Sequence, residues 1–548
     1  MKSADSNKPA VVTALAGVLG LLLWSGPSAA QDTQGATQLH AVHHDVSPPL
    51  AHMVPLKPAP GHRVKPLGRF PLPQAPAGQT DPVLQTTTTG LLVPVTVGQD
   101  LLGLGQHYPG FTVNGIPPDP NAAVGATQVV QWVNESFVVF DKSTGVALYG
   151  PAAGNTLWQG FAPTGVGALC GQDNDGDPIV QYDKLANRWV MTQFAVTGAD
   201  GSAANPYLQC VAVSTTSDAR GTWNRYAFAY NYFPDYPKLG VWPDAYYTTF
   251  NMFKPSFFGT SFSFVGARVC AYDRQSMLLG NPATQQCFQL GSSFAGLLPA
   301  DLDGPTQAPP SGSPNFLLSL GVNALNFWKF HVDWSNTANT TLSGPASIPV
   351  AAFNQGCGGA ACIPQSNTSQ KLDSLGDRLM YRLAYRNFGA YESLVVNHTV
   401  QVGSARKGIT GVRWYELRNP NGSPTVFQQG TYAPDSKFRW MASLAMDKVG
   451  NMAMGYSVSS GSMPPTLRYT GRLSTDAPNT MQAETTAING NIYGSGSQTS
   501  YSRWGDYSSM SVDPVDGCTF WYTNEYLVAT GNFNWDTRLF SFKFANCN

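Results

Sequence analysis

The sequence has little charge and almost no net charge. Asp, Glu, Lys and Arg make up only 12% of its 548 residues, and 32 basic side chains face 33 acidic ones. Such a chain creates no global field that attracts nucleic acid or an anionic membrane. We therefore expect no nucleic-acid partner, and any ligand must be recognised locally.

Long apolar runs are missing after the N-terminus. The run from Val11 to Trp24 has about fourteen residues, whereas a membrane-spanning helix needs about twenty. It follows Lys2 and Lys8 and precedes Ser28-Ala29-Ala30, small residues that a signal peptidase accepts. We predict that residues 1–30 are a signal peptide cleaved near Ala30, and that the mature protein is secreted or periplasmic, without a membrane span.

The familiar catalytic motifs are absent as well. The sequence contains no Walker loop, nucleophile elbow or HExxH pattern, which disfavours phosphoryl transfer and zinc peptidase chemistry. Its eight cysteines lack the two-residue spacing of zinc sites, and an even number in an exported chain indicates disulfides. Sequence alone leaves the connectivity open. We predict that neighbours pair, because each pair would lie within one structural unit or close a short loop: Cys170 with Cys210, Cys270 with Cys287, Cys357 with Cys362, and Cys518 with Cys547.

The composition changes near residue 90. Residues 31–90 are rich in Pro, Gln, Thr and His, with few large apolar residues spaced to share a face, so we predict a disordered leader. From about residue 91 to residue 548 the chain is rich in Trp, Tyr, Phe, Val, Gly and Asn and poor in Lys and Glu. This composition is typical of strands joined by tight turns, and it predicts an all-β domain.

A degenerate repeat runs through that domain. Seven segments each open with a polar loop and continue into an apolar strand, with starts separated by about sixty to eighty residues. The openings are Pro118 to Asn121, Gly176-Asp177, Asp235 to Lys238, a segment near Ser313, Asp377-Arg378, Arg439-Trp440, and Arg503 to Asp506.

Units of this length predict one β-propeller of about seven four-stranded blades, because a small antiparallel sheet buries both faces only between neighbours. Two stacked β-sandwiches are the rival architecture, and they do not explain the recurrence. We predict that residues 91–97 close the ring beside Phe540 to Phe544. Pro94 restricts this strand to an outer edge.

The segment from Thr216 to Trp223 resembles the Asp-box of sialidase-type propellers. Asp218 and Trp223 keep the spacing of that motif, whereas Gly221 stands one place late. In that family the box is a structural turn between outer strands, so the resemblance implies a fold and no activity. The segments 117–125, 235–247 and 503–514 also resemble exported bacterial propeller proteins of uncharacterised function.

In a propeller the starts of the innermost strands converge on one mouth of the central channel. The predicted mouth therefore gathers polar residues that are distant in sequence. Its predicted substrate-binding residues are Arg378, Arg439, Arg503, Asp235, Lys238 and Asp506, and exposed Trp242 and Trp504 are predicted to add aromatic contacts.

Three arginines from three repeats suggest carboxylate recognition, because a guanidinium pairs a carboxylate through two parallel hydrogen bonds. Sialidases use three arginines in this way, and the resemblance implies an acidic sugar. Hydrolysis also needs a nucleophile and an acid. The candidates for these catalytic roles are Tyr507 with Glu525, and Asp119 or Asp177.

Three functions remain open from sequence. The leading hypothesis is a monomeric secreted propeller that recognises an extracellular, acidic carbohydrate and could hydrolyse it as a sialidase-like glycoside hydrolase. The second is a binding or adhesion module without catalysis, in which Arg and Asp at strand starts pair with one another. The third is a polysaccharide lyase acting on uronates, with Tyr507 or His398 as base.

No cofactor is required for these functions, but one segment resembles a calcium loop. Asp173, Asp175 and Asp177 alternate around Asn174 and Gly176, as oxygen ligands do in such loops. The alternative is a plain turn rich in Asp, Asn and Gly. A structural Ca²⁺ bound by these three aspartates is the metal site that the sequence offers.

Overall fold

Antiparallel strands dominate the structure, a computed structural model, as expected for an all-β chain. It describes residues 35–65, 68, 70, 76, 78–88, 95–256, 261–304, 307–404, 408–486 and 491–548. The predicted signal peptide and residues 91–94 of the predicted closing strand lie outside the described residues.

Most strands belong to seven antiparallel meanders of four strands each within the described ranges, numbered here in chain order. Meander 1 contains Asn121–Val124, Gln128–Val133, Ser136–Asp141 and Ala147–Ala153. Meander 2 contains Ile179–Asp183, Arg188–Ala195, Tyr207–Ser214 and Trp223–Tyr230. Meander 3 contains Phe233–Val241, Tyr246–Pro255, Phe262–Tyr272 and Thr284–Gln289. Meander 4 contains Leu298–Leu302, Asn315–Gly321, Ala324–His331 and Thr341–Pro349.

The last three meanders follow the same plan. Meander 5 contains Met380–Asn387, Glu392–Val402, Ile409–Arg418 and Thr425–Tyr432. Meander 6 contains Phe438–Met446, Met452–Ser460, Met463–Arg472 and Thr485–Thr486. Meander 7 contains Ser509–Val512, Phe520–Leu527, Trp535–Phe544 and, from the N-terminal side of the chain, Val95–Leu102. Meanders 4 and 5 are joined through parallel pairing of their first strands, with Ala300 opposite Leu383.

The first strands of the meanders follow one another around a circuit. Each lies beside the first strand of the next meander, and the first strand of meander 7 lies beside that of meander 1. Residues at the starts of these strands are therefore neighbours although hundreds of positions separate them in sequence.

The core lies between neighbouring meanders. Trp132 of meander 1 and Trp189 and Trp223 of meander 2 belong to one buried cluster, and Tyr522 and Phe540 of meander 7 pack with Ala453 of meander 6 in another. Because both faces of a meander are covered, a strand such as Gln128–Val133 is buried at every position. Its apolar residues are consequently not confined to alternate positions.

The remaining elements are short. Arg63–Val64 pairs with Gly115–Ile116, and Ala361–Ile363 pairs with Leu372–Asp373. One helix spans Arg274–Leu279, where the Asp273 side chain accepts a hydrogen bond from the Ser276 amide and Gly280 ends the helix with a φ of 72°. The other helices in the described ranges are the α-helix Leu169–Gln172 and the 3-10 helices Leu50–His52, Gly154–Trp158, Val166–Ala168, Thr337–Asn339 and Gly356–Gly359. Asn354–Gln355 is a short strand that pairs with Glu392–Val402.

The prediction of a disordered leader is wrong for the leader residues that the structure describes. Thr37–His40 adds a strand to meander 3, and His43–Val46 adds one to meander 2. Leu84–Gln85 pairs in parallel with Thr425–Tyr432 of meander 5. These strands are held largely by main-chain hydrogen bonds to sheet edges, which require no apolar pattern in the leader sequence.

The predicted pairing of residues 91–97 beside Phe540 to Phe544 is confirmed in its described part. Val95–Leu102 pairs antiparallel with Trp535–Phe544, with Val95 opposite Phe544 and Val97 opposite Phe542. The predicted start of the fourth repeat near Ser313 is wrong, because Leu298–Leu302 precedes it as the first strand of meander 4. Its sequence, LPADL, contains Pro and Asp, which are rare in strands.

The four predicted disulfides are confirmed. Cys170–Cys210, Cys270–Cys287, Cys357–Cys362 and Cys518–Cys547 are all bonded. Disulfides of this number fit an oxidising compartment, outside the cell or in a periplasm.

The structure describes no helix long and apolar enough to cross a bilayer.

The resemblance to an Asp-box falls on a turn between the third and fourth strands of meander 2. Trp223 is fully buried and donates its indole N–H to the Ala219 carbonyl at 3.0 Å, while Asp218 accepts the Arg220 amide at 2.9 Å. These contacts give the turn a structural role.

The disulfides differ in the length of chain that they close, which gives a test of their contributions. Replacing Cys170 and Cys210 by Ala opens a loop of 40 residues and should lower the free energy of unfolding by about 4 kcal/mol. The matched control replaces Cys357 and Cys362, five residues apart, and should cost about 2 kcal/mol. Urea titration measures both. A larger loss from the second pair would contradict the chain-entropy account.

Candidate functional site

Several residues of the predicted mouth lie at or next to the openings of the first strands. Asp119 and Asp177 lie two positions before the first strands of meanders 1 and 2, and Tyr236 lies within that of meander 3, with φ values of 46°, 46° and 57°. Left-handed backbone is costly for residues with a Cβ, and such residues are common at functional sites.

A cavity of about 390 Å³ opens at this place. Five of the predicted catalytic or substrate-binding residues line it: Asp177, Asp235, Arg378, Arg503 and Asp506. The other lining residues are Arg63, Val64, Lys65, Gly68, Glu135, Asp175, Phe194, Val196, Phe233, Tyr236, Phe253 and Phe262. We call this space the mouth cavity.

A buried network connects meanders 1 and 7 beside the mouth cavity. The Arg503 guanidinium donates to Asp506 Oδ1 at 2.6 Å, and the Asp506 amide donates to Asp119 Oδ1 at 2.5 Å. Asp119 Oδ2 accepts from Asn134 at 3.0 Å. Burial raises the pKa of Asp119 to about 7, helped by the charges of Asp506 and Asp177. Although burial opposes its charged form, Arg503 holds the pKa of Asp506 below its usual value.

A second network lies on the side of meanders 3 and 5. Arg378 forms two hydrogen bonds with the carboxylate of Asp377, at 2.7 and 3.0 Å. The Lys238 ammonium lies 3.4 Å from the ring centroid of Tyr236 and 4.2 Å from that of Tyr507. Burial lowers the pKa of Lys238 to about 8, against the opposing effect of nearby carboxylates. The cation is thus held by aromatic faces and buried beside the mouth cavity.

Asp177 and Asp235 are two of the aspartates that line the mouth cavity. Burial raises the pKa of Asp235 to about 7, and the negative charges of Asp177 and Asp506 act in the same direction. Asp177 forms an ion pair with Lys65 at 3.6 Å. At neutral pH Asp235 is therefore partly protonated, whereas Asp177 is ion-paired. Acid and base roles depend on such a difference between two carboxyl groups.

The predicted pairing of Tyr507 with Glu525 is wrong. The Tyr507 hydroxyl donates to the Pro178 carbonyl at 3.0 Å, whereas Glu525 accepts the Gly505 amide at 2.5 Å. Burial raises the pKa of both groups well above their usual values, which disfavours a phenolate nucleophile. Neither side chain lines the mouth cavity. Glu525 lies in the second strand of meander 7 and Tyr507 lies just before the first, and both side chains are buried.

The convergence of three arginines is also not formed. Arg439 is buried and binds Glu484 at 2.8 Å and Asp435 at 2.9 Å, and it does not line the mouth cavity. Trp242 and Trp504, predicted to be exposed, are each 1% exposed. Their indole N–H groups donate within the protein and their rings fill the core, which is the usual place for so large an apolar surface.

The three aspartates of the predicted calcium loop point to different partners. Asp175 accepts the amides of Val196 and Thr197 at 2.6 and 2.7 Å, while Asp177 lies in the mouth cavity. Asp173 keeps a buried carboxylate oxygen without a hydrogen bond, and burial raises its pKa to about 7. Within the described ranges no group of three metal-ligating side chains is gathered.

His398, the alternative base of the lyase hypothesis, is fully buried in meander 5. Its Nε2 lies 2.9 Å from the Tyr415 hydroxyl, and burial lowers its pKa well below the usual value. It is a core residue and cannot meet a ligand in the mouth cavity.

Two features of the site escaped sequence reasoning. One is a wall of phenylalanines, Phe194, Phe233, Phe253 and Phe262, from meanders 2 and 3. Aromatic residues next to strand openings, as in the segment NYFPD, are the signal that could have indicated it. The other is the leader residue Lys65, for which the sequence contains no signal because its contacts are set by the path of the chain.

Comparison with solved structures finds chains of low similarity. An α-L-arabinofuranosidase from Fusarium graminearum in complex with an iminosugar inhibitor has a TM-score of 0.33 and 8% identity, over 83% of this chain and 99% of that chain. An ulvan lyase of polysaccharide lyase family PL25 has a TM-score of 0.32 and 11% identity, over 80% and 93%. The N-terminal domain of Nup159 has a TM-score of 0.33 and 9% identity, over 84% and 100%. Similarity at this level transfers no activity to this chain.

No family model matches the chain, and no curated protein sequence matches it. Membership of the sialidase-type family therefore stays a prediction.

The raised pKa of Asp235 predicts a pH-dependent stability. An unfolded aspartate loses its proton near pH ~3.9, whereas folded Asp235 loses it at about 7. Between these values the folded protein binds more protons, so the free energy of unfolding falls as pH rises. Asp235→Asn cannot titrate, and it should lose less unfolding free energy than the wild type between about pH 5 and about pH 7. Denaturant titrations at both pH values measure this, and equal losses would show that Asp235 does not hold its proton.

Proposed function

We propose that the seven meanders are the blades of one closed propeller and that its mouth cavity binds a carbohydrate. The circuit of first strands supports the architecture, because it joins the last meander to the first. Strand Val95–Leu102, which completes meander 7 from the N-terminal side, supports it further.

The observation that supports carbohydrate binding is that both aromatic and acidic side chains line the mouth cavity. Phe194, Phe233, Phe253 and Phe262 line it together with the carboxylates of Asp177 and Asp235. A sugar ring offers an apolar C–H face that packs on aromatic side chains and hydroxyl groups that donate to carboxylates. A pocket with apolar walls and a few polar groups is the usual form of a small-ligand site.

We propose a neutral glycan, in place of the acidic one suggested by the sequence. Each predicted arginine already holds a carboxylate of the protein: Arg378 binds Asp377, Arg503 binds Asp506, and Arg439 binds Glu484. An arginine that already forms such an ion pair gains little free energy by binding the carboxylate of a ligand. Its partner in the protein would then be left as an unpaired buried charge.

We also propose that the protein is exported with its first 30 residues as a signal peptide. The order of charged, apolar and small residues supports this proposal. The four disulfides are compatible with it.

Hydrolysis of the bound glycan is a second proposal, favoured by the raised pKa of Asp235. A carboxyl with a pKa of about 7 can donate a proton to a glycosidic oxygen at neutral pH. Asp177, ion-paired with Lys65 in the same cavity, would be the second carboxylate that such chemistry needs.

Phe262 tests the binding proposal because half of its surface is exposed, so its loss should leave the fold intact. Phe262→Ala should weaken binding to a neutral oligosaccharide, selected on a glycan array, by about tenfold. The matched control is Phe427→Ala, since Phe427 is 48% exposed against 50% for Phe262 and does not line the mouth cavity. Calorimetry compares both variants with the wild type. Equal affinity of all three proteins would remove the mouth cavity as the binding site.

Asp235 tests the second proposal. Asp235→Asn should abolish release of reducing sugar from the selected oligosaccharide and retain its binding, because the amide cannot donate a catalytic proton but keeps the shape of the side chain. A reducing-sugar assay and calorimetry on the same preparations give the two readouts. Binding without release in the wild type would leave a binding module.

A further inference from the structure

One part of the N-terminal leader lies across the mouth cavity. We call the described residues Arg63, Val64, Lys65, Gly68 and Phe70 the mouth strap. On one side Arg63–Val64 pairs with Gly115–Ile116, which precedes meander 1. Farther along the chain, Leu84–Gln85 pairs with meander 5. The mouth strap contacts residues within or next to the strands of meanders 1, 2, 3, 5 and 7.

The main chain of the mouth strap is bound by the two arginines of the cavity. Arg503 Nε donates to the carbonyl oxygen of Lys65 at 2.9 Å, and Arg378 Nη2 donates to that of Gly68 at 2.8 Å. Both guanidinium groups are buried. Hydrogen bonds from charged groups to carbonyls are among the stronger ones in proteins, so the strap is held through its backbone at two points three residues apart.

The side chain of Lys65 occupies the acidic part of the cavity. Its ammonium donates to Asn134 Oδ1 at 3.0 Å and to the carbonyl of Asp175, and it lies 3.6 Å from Asp177. Gly176, with a φ of 89°, leaves the space for this ammonium, since a Cβ at that position would collide with Lys65 Nζ. A Cβ at Gly176 would also collide with Asn134, so the loop that contributes Asp177 packs closely against both Lys65 and Asn134.

The far end of the mouth strap is anchored by an aromatic ring. Phe70 is 8% exposed, lies 5.6 Å from the ring of Phe264, and has the Arg378 guanidinium 4.3 Å from its centroid. Gly68 lies against Asp235, because a Cβ added there would be 2.9 Å from Asp235 Oδ2. The strap thus engages Arg378, Arg503, Asp177 and Asp235, four of the predicted site residues.

We propose that the mouth strap is an intramolecular peptide ligand that competes with outside ligands for these groups. The ligand class recognised by the polar half of the mouth is an extended peptide with a lysine, a glycine three positions later and a phenylalanine two positions after that. The outside ligand in this inference is the proposed carbohydrate, so this part of it rests on the proposed function. A site that is free only part of the time binds with its intrinsic affinity reduced by the free fraction, so loosening the strap strengthens binding.

The first test weakens the strap in two independent ways. Lys65→Ala removes the ammonium, and Gly68→Ala places a methyl group against Asp235. Both variants should bind the oligosaccharide about tenfold more tightly than the wild type, as measured by calorimetry. Lys57→Ala is the matched control, because Lys57 is an exposed leader lysine outside the mouth cavity, and its affinity should equal that of the wild type. Weaker binding by both strap variants would overturn the proposal and make the strap a wall of the ligand site.

The second test does not need a carbohydrate. A synthetic peptide with the sequence of residues 63–70, RVKPLGRF, should bind Gly68→Ala at least about tenfold more tightly than it binds the wild type, whose own strap competes at a high effective concentration. Equal or absent peptide binding by both proteins would overturn the proposal. If the peptide binds as expected but no glycan binds any variant, the carbohydrate function fails and the strap inference stands. Thermal unfolding confirms that each variant is folded.

Discussion

The burial of polar strand openings around one circuit is the constraint on which the site depends. The first strands of the meanders follow one another around a circuit, and their openings bring Asp119, Arg503 and Asp506 close together in a buried space. A charge in such a space is costly unless it is paired and hydrogen-bonded. The pairs Arg503 with Asp506 and Arg378 with Asp377 meet that requirement within single segments. The hydrogen bond from the Asp506 amide to Asp119 then connects the openings of meanders 7 and 1, which are remote in sequence.

The same constraint explains why the carboxyl groups at the mouth differ from one another. Asp506 has an arginine partner, whereas Asp119 and Asp235 stand near other carboxylates and have their pKa raised to about 7. Like charges in a poorly solvated space cannot all ionise. The fold therefore produces carboxyl groups beside the mouth cavity that keep a proton near neutral pH. Such groups can act as acids in a ligand site.

The pairing of the arginines also changes the chemistry that the mouth offers. The free surface of the cavity is aromatic on one side, from Phe233, Phe253 and Phe262. Its polar side is in contact with the chain's own Lys65 and Gly68. The leader is thus part of the site, and its path determines how much of the polar side an outside ligand can reach.

Several features could be determined from the sequence by itself, because they depend on local composition and spacing. Aromatic and β-branched segments between turns predicted the strands, the polar openings predicted five residues of the mouth cavity, and short separations predicted the four disulfides. Tertiary structure alone decided that Arg439 binds Glu484, that Trp242 and Trp504 are buried, and that Thr37–His40 and His43–Val46 form strands. The physical reason is that side-chain partners and exposed sheet edges come from distant parts of the chain, and a local pattern carries no information about what the fold places opposite it.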